Sequence, residues 1–175
     1  MRRALVVGGA NGIGLALATL LAEDEGFDRI YIIDRTEVAA EFRHPKFDFT
    51  YFDLRAEDYT LLDSYTDIDT LIITAGFGRL AHFKDIEEQH IIDSFAVNST
   101  APLRIIHHFP RISAKESFYC GVMGSIAGFL SSPLFAVYGA TKAALKIFIE
   151  SVNVELEKSG TSNRILNISP GSIKG

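Results

Sequence analysis

The first apolar stretch of the chain, Ala4-Leu5-Val6-Val7, has no polar position on either face and gives way at once to Gly8-Gly9-Ala10-Asn11-Gly12-Ile13-Gly14. Leu15 to Glu23, rich in Ala and Leu, follows. A short run that is apolar on both sides suits a strand buried between two layers, so the opening predicts strand, glycine turn and helix in succession. The alternation continues. Arg29 to Ile33, ending at Asp34, and Phe47 to Phe52, stopped by Asp53, read as the second and third strands. Leu71 to Thr74, followed by the turn Ala75-Gly76, reads as the fourth. Ser117 to Met123 gives a fifth, and Arg164 to Ile168, closed by Ser169-Pro170-Gly171, a sixth. Between these runs, Ile86 to Phe109 carries a long helical pattern interrupted at Pro102, where an entry or kink is expected. Val137 to Glu157 is apolar around most of its circumference in its first half, which predicts a helix buried on more than one side. Strand and helix in alternation predict one α/β domain over residues 1–175, a doubly wound parallel sheet of six strands with right-handed crossovers.

A glycine turn between a first strand and a first helix has a defined use. Glycines allow a tight backbone, let a pyrophosphate approach closely, and leave the helix N–H groups and dipole aimed at the anion. Asp34 stands 20 residues after Gly14 at the end of the next strand. There a carboxylate can accept hydrogen bonds from the hydroxyls of an adenosine ribose. Asp53, at the end of the third strand, has two readings: an acceptor for an adenine amino group, or the N-cap of a helix starting at Arg55.

Composition narrows the partners. Seventeen basic against 22 acidic residues give a net charge of -5, with no basic stripe for a phosphate backbone, so nucleic acid is not expected as a partner. Cys120 is the one cysteine, which rules out an internal disulfide and a Cys-rich zinc site; no metal is expected, and a cytoplasmic location fits. The apolar run after Met1-Arg2-Arg3 is broken by glycines after four residues, too short for a signal-peptide core or a spanning helix, so no membrane association is expected.

The spacing Gly8-x-x-x-Gly12-x-Gly14 with Asp34 resembles the cofactor half of the short-chain dehydrogenase/reductase family, with Val7 where a Thr is usual. Tyr138-Gly139-Ala140-Thr141-Lys142 matches the family's Tyr-x-x-x-Lys; Ser125 lies 13 residues before the Tyr, and Asn98 lies 27 before the Ser. Thr74-Ala75-Gly76 stands where the family has Asn-Asn-Ala-Gly, and Pro170-Gly171 matches the turn after the sixth strand. The resemblance implies a Rossmann fold, a catalytic set of Asn98, Ser125, Tyr138 and Lys142, and NAD as cofactor, with NADP as the alternative. It also implies cofactor contacts from Gly8, Asn11, Gly12, Ile13, Gly14, Asp34, Arg35, Asp53, Leu54, Ala75, Gly76, Tyr138, Lys142, Pro170, Gly171 and Ile173.

A nicotinamide carries the hydride, so the protein has to orient the reactants and handle a proton. Tyr138 and Lys142, four apart on a helix, share a face, and the ammonium favours the phenolate, which suits Tyr138 as general acid/base. Ser125 can hydrogen-bond the substrate oxygen, and Lys142 the nicotinamide ribose. The resemblance further implies that Asn98 supports a water linking Lys142 to solvent. Asp34 favours NAD over NADP, because it would repel a 2′-phosphate, although Arg35 beside it can bind that phosphate. The apolar segment Ile126 to Val137 is either a pocket wall, pointing to an apolar carbonyl or alcohol substrate, or a cap on the core. The expected function is an NAD(P)-dependent oxidoreductase interconverting an alcohol and a carbonyl. The alternative is a cofactor-binding regulatory or assembly protein that has lost turnover; a methyltransferase leaves Tyr138 and Lys142 unexplained. The apolar helices 86–109 and 137–157, together with the resemblance, imply a homodimer or homotetramer. The family's C-terminal part is missing after Gly175, so the sequence is expected to be part of a longer protein. A chain truly ending there would bind cofactor but turn over poorly.

Overall fold

The computed structural model describes residues 1–171. Six parallel strands, β1 (Arg2–Val7), β2 (Phe27–Asp34), β3 (Phe47–Tyr51), β4 (Thr70–Ile73), β5 (Tyr119–Met123) and β6 (Ile165–Ile168), form one sheet in the order β3-β2-β1-β4-β5-β6. The doubly wound α/β expectation is met. The chain builds outward from β1 to β3, then returns to place β4 on the other side of β1. The carboxyl ends of β1 and β4 therefore flank the topological switch point, where open α/β sheets hold their ligands.

Why the strand runs are fully apolar is visible in the packing. Leu5 and Val7 of β1 point into one core, with Leu71 and Ile73 of β4 and Ile105, Leu145 and Ile149 of the helices on that side. Ala4 and Val6 point into the opposite core, with Ile30, Ile32 and Ile72 and with Ala18 and Ala22 of helix α1 (Gly12–Glu23). Side chains alternate across a strand, and here both faces are covered, so neither set can be polar.

Two departures from the sequence expectation matter for the site. The long pattern from Ile86 to Phe109 is not one regular helix. It is α2 (Glu88–Phe95), a π-turn (Ala96–Thr100) closed by the Ala101 N–H on the Ala96 carbonyl, and α3 (Ala101–His108). Pro102 carries no N–H and cannot close the following turn on Asn98, so a wider turn precedes it. The expected kink takes the form of an inserted residue. The second departure is that no helix starts at Arg55. The Asp53 carboxylate accepts the Arg55 N–H at 2.9 Å and that of Asp58 the Thr60 N–H at 2.8 Å, and only a short 3-10 helix, Thr60–Tyr65, forms. Asp side chains competing for backbone donors break up a helix in this way. The long helix expected over 137–157 is α4 (Ala136–Ser159), ended by Gly160 in the left-handed region at φ 80°. Among the described residues β6 has one strand neighbour, β5, and no helix is long and apolar enough to cross a membrane.

Candidate active site

A cleft opens at the switch point in two lobes. The first, about 280 Å³, is lined by the glycine turn, by Asp34, Arg35 and Thr36 after β2, by Phe52, Asp53 and Leu54 after β3, and by Thr74 to Phe77 after β4. The second, about 300 Å³, is lined by Gly78, Met123, Gly124, Ser125, Tyr138, Lys142, Pro170 and Gly171. Ile13, Thr74, Gly76 and Phe77 line both, so the lobes form one continuous groove. Of the residues singled out in the sequence, Asn11 and Leu54 also line the first lobe, and Ile173 lies outside the described residues.

The turn is built for close approach. Gly8 has φ 82°, and a Cβ there would lie 2.5 Å from the Ala75 nitrogen; a Cβ on Gly14 would lie 2.0 Å from the Gly8 carbonyl oxygen. The turn and the segment after β4 therefore touch backbone to backbone, with the Thr74 hydroxyl donating to the Gly8 carbonyl at 3.0 Å. Helix α1 starts at Gly12 with no acidic residue in its first turn. The positive end of its dipole and its first N–H groups face the first lobe without an internal counter-charge, as an anion site requires.

Asp34 is held rather than loose. Its Oδ2 accepts the Ala10 N–H at 3.1 Å, and its Oδ1 accepts the Thr36 N–H at 3.1 Å and the Thr36 hydroxyl at 3.2 Å. A carboxylate has about four acceptor positions, so acceptor capacity remains toward the lobe. Asp53 is engaged more fully. Arg55 donates to both its oxygens through Nε and to Oδ2 through Nη2 at 2.5 Å, while Nη1 reaches Asp93 of α2 at 3.1 Å. The hydrogen bonds from the Arg55 guanidinium hold the Asp53 carboxyl down at about 2.

In the second lobe, β5 delivers Ser125 past Gly124, where a Cβ would collide with Asn167 Oδ1 at 2.0 Å. The Ser125 hydroxyl caps the single turn Ile126–Gly128 by accepting the Ala127 N–H at 3.2 Å. The first turns of α4 carry Tyr138 and Lys142. The Tyr138 ring lies between the Phe135 ring, 5.8 Å away centroid to centroid, and Gly78, where a Cβ would stand 2.7 Å from its Cδ2. Lys142 is 4% exposed; its Nζ donates to the Met123 carbonyl at 2.8 Å and lies 5.8 Å from the centre of the Tyr138 ring. Burial pushes the Lys142 amine down to about 8.

Asn98 lines neither lobe. It is wholly buried in the π-turn, its Oδ1 accepting the Phe77 N–H at 2.9 Å and its Nδ2 donating to the Phe77 carbonyl at 2.7 Å and to Thr141 Oγ1 at 3.1 Å. It clamps the segment after β4 as a backbone strand would. Asn98 and Lys142 converge behind Gly76, where a Cβ would lie 3.2 Å from Asn98 Oδ1 and 3.4 Å from Lys142 Nζ.

Of the segment 126–137, Val137 is buried in the core, and no residue of the segment lines either lobe. Phe129 and Leu130 remain 54% and 63% exposed, and Leu134 adopts φ 68°, unusual for a side chain of its size, with its carbonyl accepting the Ala81 N–H at 3.2 Å. Reasoning from sequence missed Thr36, Gly78 and Thr141. Thr36 and Gly78 carry no motif, and Thr141 is one of the unspecified positions between Tyr138 and Lys142.

A short-chain dehydrogenase of Pyricularia oryzae, RED1, is 31% identical over 180 residues, covering 97% of this chain and 62% of the relative. An uncharacterized oxidoreductase of Saccharomyces cerevisiae, TDA5, is 27% identical, covering 97% of this chain and 54% of the relative. The chain thus spans between half and two thirds of the length of these two relatives. Among solved structures, the bulky-bulky ketone specific alcohol dehydrogenase of Comamonas testosteroni superposes with a TM-score of 0.85 at 25% identity, covering 98% of this chain and 73% of that one. The family model described as short chain dehydrogenase matches residues 2–175, and with the glycine turn, Ser125, Tyr138 and Lys142 gathered at the switch point, the chain belongs to the short chain dehydrogenase family.

Proposed function

We propose that the protein is an NAD(P)-dependent oxidoreductase that interconverts an alcohol and a ketone or aldehyde, with Tyr138 as the group that gives or takes the proton. The observation that carries this reading is the continuity of the two lobes: a groove with an anion-ready helix terminus and a ribose-ready carboxylate at one end runs directly to Ser125, Tyr138 and Lys142 at the other. The turn fits a dinucleotide because neither Gly8 nor Gly14 has room for a Cβ, which keeps the backbone low beneath the pyrophosphate. The bound nicotinamide supplies the hydride.

Each side chain has a separable task. Asp34, fixed by the Ala10 and Thr36 donors, accepts the ribose hydroxyls. Ser125 donates to the substrate oxygen and orients it, and Tyr138 exchanges a proton with that oxygen. Lys142 places its ammonium beside the Tyr138 ring, in reach of a ribose hydroxyl entering past Gly76. The Asn98 amide is fully engaged by Phe77 and Thr141, so its side chain positions the loop, and a water relay from Lys142 would use the Asn98 carbonyl, which Pro102 cannot serve. The exposed apolar side chains Ile126, Phe129, Leu130 and Leu134, on the segment that leads into α4, favour an apolar carbonyl, in keeping with the ketone in the name of the Comamonas protein. Ile92 and Phe95 of α2 and Ile147 and Val154 of α4 are exposed, which supports self-association through these helices.

Cofactor choice tests the adenosine end. Calorimetric titration is expected to show NAD binding at least about tenfold tighter than NADP, and Asp34→Ala to erase that preference by removing the charge that opposes a 2′-phosphate. Tighter NADP binding by the unaltered protein would assign the phosphate to Arg35. Binding of neither would overturn the function.

A further inference from the structure

The π-turn and the helix that carries Tyr138 and Lys142 are joined through the hydroxyl groups of Ser99 and Thr141. Thr141 is completely buried between Tyr138 and Lys142. Its Oγ1 donates to the Tyr138 carbonyl at 2.7 Å and accepts from Asn98 Nδ2 at 3.1 Å. Its own carbonyl accepts the hydroxyl of Ser99, 5% exposed, at 2.9 Å. Asn98 and Ser99 are consecutive residues of the π-turn, yet both reach the same residue of α4. In a regular helix successive side chains diverge by about 100°, and the widened turn brings these two to one partner.

We propose that Thr141 is a positioning residue that locks α4 to the π-turn and so fixes where Tyr138 and Lys142 stand relative to the segment after β4. The chain of contacts is unbroken. The Phe77 peptide is held by Asn98, Asn98 by Thr141, and Thr141 by the Tyr138 carbonyl. Gly78, next to Phe77, lies against the Tyr138 ring, so the loop and the ring are set by one network from both ends. Asn98, Ser99 and Thr141 are buried, and so is the Asn98–Thr141 hydrogen bond, so an unmet donor there has no water to turn to, and loss of the Thr141 oxygen leaves Asn98 Nδ2 one acceptor short. The Asn98 amide then relaxes, the Phe77 peptide loses its clamp, and the tyrosine loses its fixed distance to a bound carbonyl. A misplacement of this kind acts on the chemical step more than on binding.

This inference rests on Tyr138 acting as the proton donor, and the test separates the two. Thr141→Val keeps the shape and removes the oxygen; Thr141→Ser restores it. The first readout is native-state amide exchange in the cofactor-free protein. Thr141→Val is expected to speed exchange of the Phe77 amide about tenfold, with amides in β1 unchanged and Thr141→Ser within about twofold of the parent. The second is steady-state turnover, where Thr141→Val is expected to lower kcat about tenfold with KM for the carbonyl changed less than about twofold, and Thr141→Ser to recover it. If Thr141→Val does not fold, Thr141→Ala gives the same comparison with less crowding. An unchanged Phe77 amide in the folded variant, or equal losses in the Val and Ser variants, overturns the proposal. An intact exchange effect in a protein that turns over no carbonyl at all supports the lock and refutes the function instead.

Discussion

Tyr138→Phe is expected to lower the rate of carbonyl reduction by 10² to 10⁴, the range typical for loss of a positioned acid/base, while leaving cofactor affinity within about twofold. The ring stays between Gly78 and Phe135, since both contacts are made by ring carbons, so only the hydroxyl is lost. Cofactor affinity is expected to change little because the proposed pyrophosphate and adenosine contacts line the first lobe, which Tyr138 does not, and the variant keeps the ring that faces the second. The comparison is made by following consumption of the reduced cofactor with a panel of ketones and titrating the same cofactor by calorimetry. A variant that keeps a tenth or more of the parent rate assigns the proton to another group.

The second large effect is on stability, and it is a gain. Lys142 holds an ammonium where only 4% of the residue meets solvent, and burial drops its amine from 10.5 to about 8. Below pH 8 both folded and unfolded chains carry the proton, and the folded state bears the full penalty, about 3 kcal/mol for a shift of this size. Between pH 8 and 10.5 the unfolded chain binds more protons than the folded one, so this contribution makes stability rise with pH. Lys142→Met removes the charge at similar volume and leaves the Met123 carbonyl without its donor, a loss of about 1–2 kcal/mol. The net expectation at pH 7 is a gain of about 1–2 kcal/mol, seen as a melting temperature higher by roughly 2–8 °C. That gain should shrink progressively above pH 8, and turnover should collapse at every pH. A variant less stable than the parent at pH 7, or a gain that does not fade, contradicts this account of Lys142. The trade of stability for function is the usual one at a site that buries a charge.

How far the sequence carries this reading depends on the kind of residue. The strands are legible because both faces of the sheet are covered, so Ala4 to Val7 and Leu71 to Ile73 have no choice but to be apolar. The glycine turn and Asp34 are legible because the backbone geometry and the charge are requirements of residue type. Their placement at one crevice follows from the crossover between β3 and β4. Pro102 announces an irregularity, but a missing N–H does not say whether the helix bends, ends or gains a residue, and the π-turn that buries Asn98 and Ser99 against Thr141 is a tertiary outcome. Asp53 misleads for a local reason: a side chain that can cap a helix can equally close a turn on Arg55 and stop one from forming. Gly78 reads as an ordinary loop glycine, because the ring that forbids a Cβ there arrives from a residue 60 positions later. The sequence marks the groups that do chemistry, and the fold supplies those that hold them in place.

The central claim is transfer of a hydride within the joined lobes, and isotope transfer measures it directly. The protein is mixed with reduced cofactor carrying deuterium at both hydrogen positions of the reactive nicotinamide carbon and with an apolar ketone, and the alcohol formed is analysed by mass spectrometry. The account predicts an alcohol one mass unit heavier, with the deuterium on the carbinol carbon in every product molecule, and at least about a hundredfold less of it from Tyr138→Phe over the same interval. A protein that binds the cofactor but yields no labelled alcohol across the ketone panel, or an alcohol formed without the label, contradicts it.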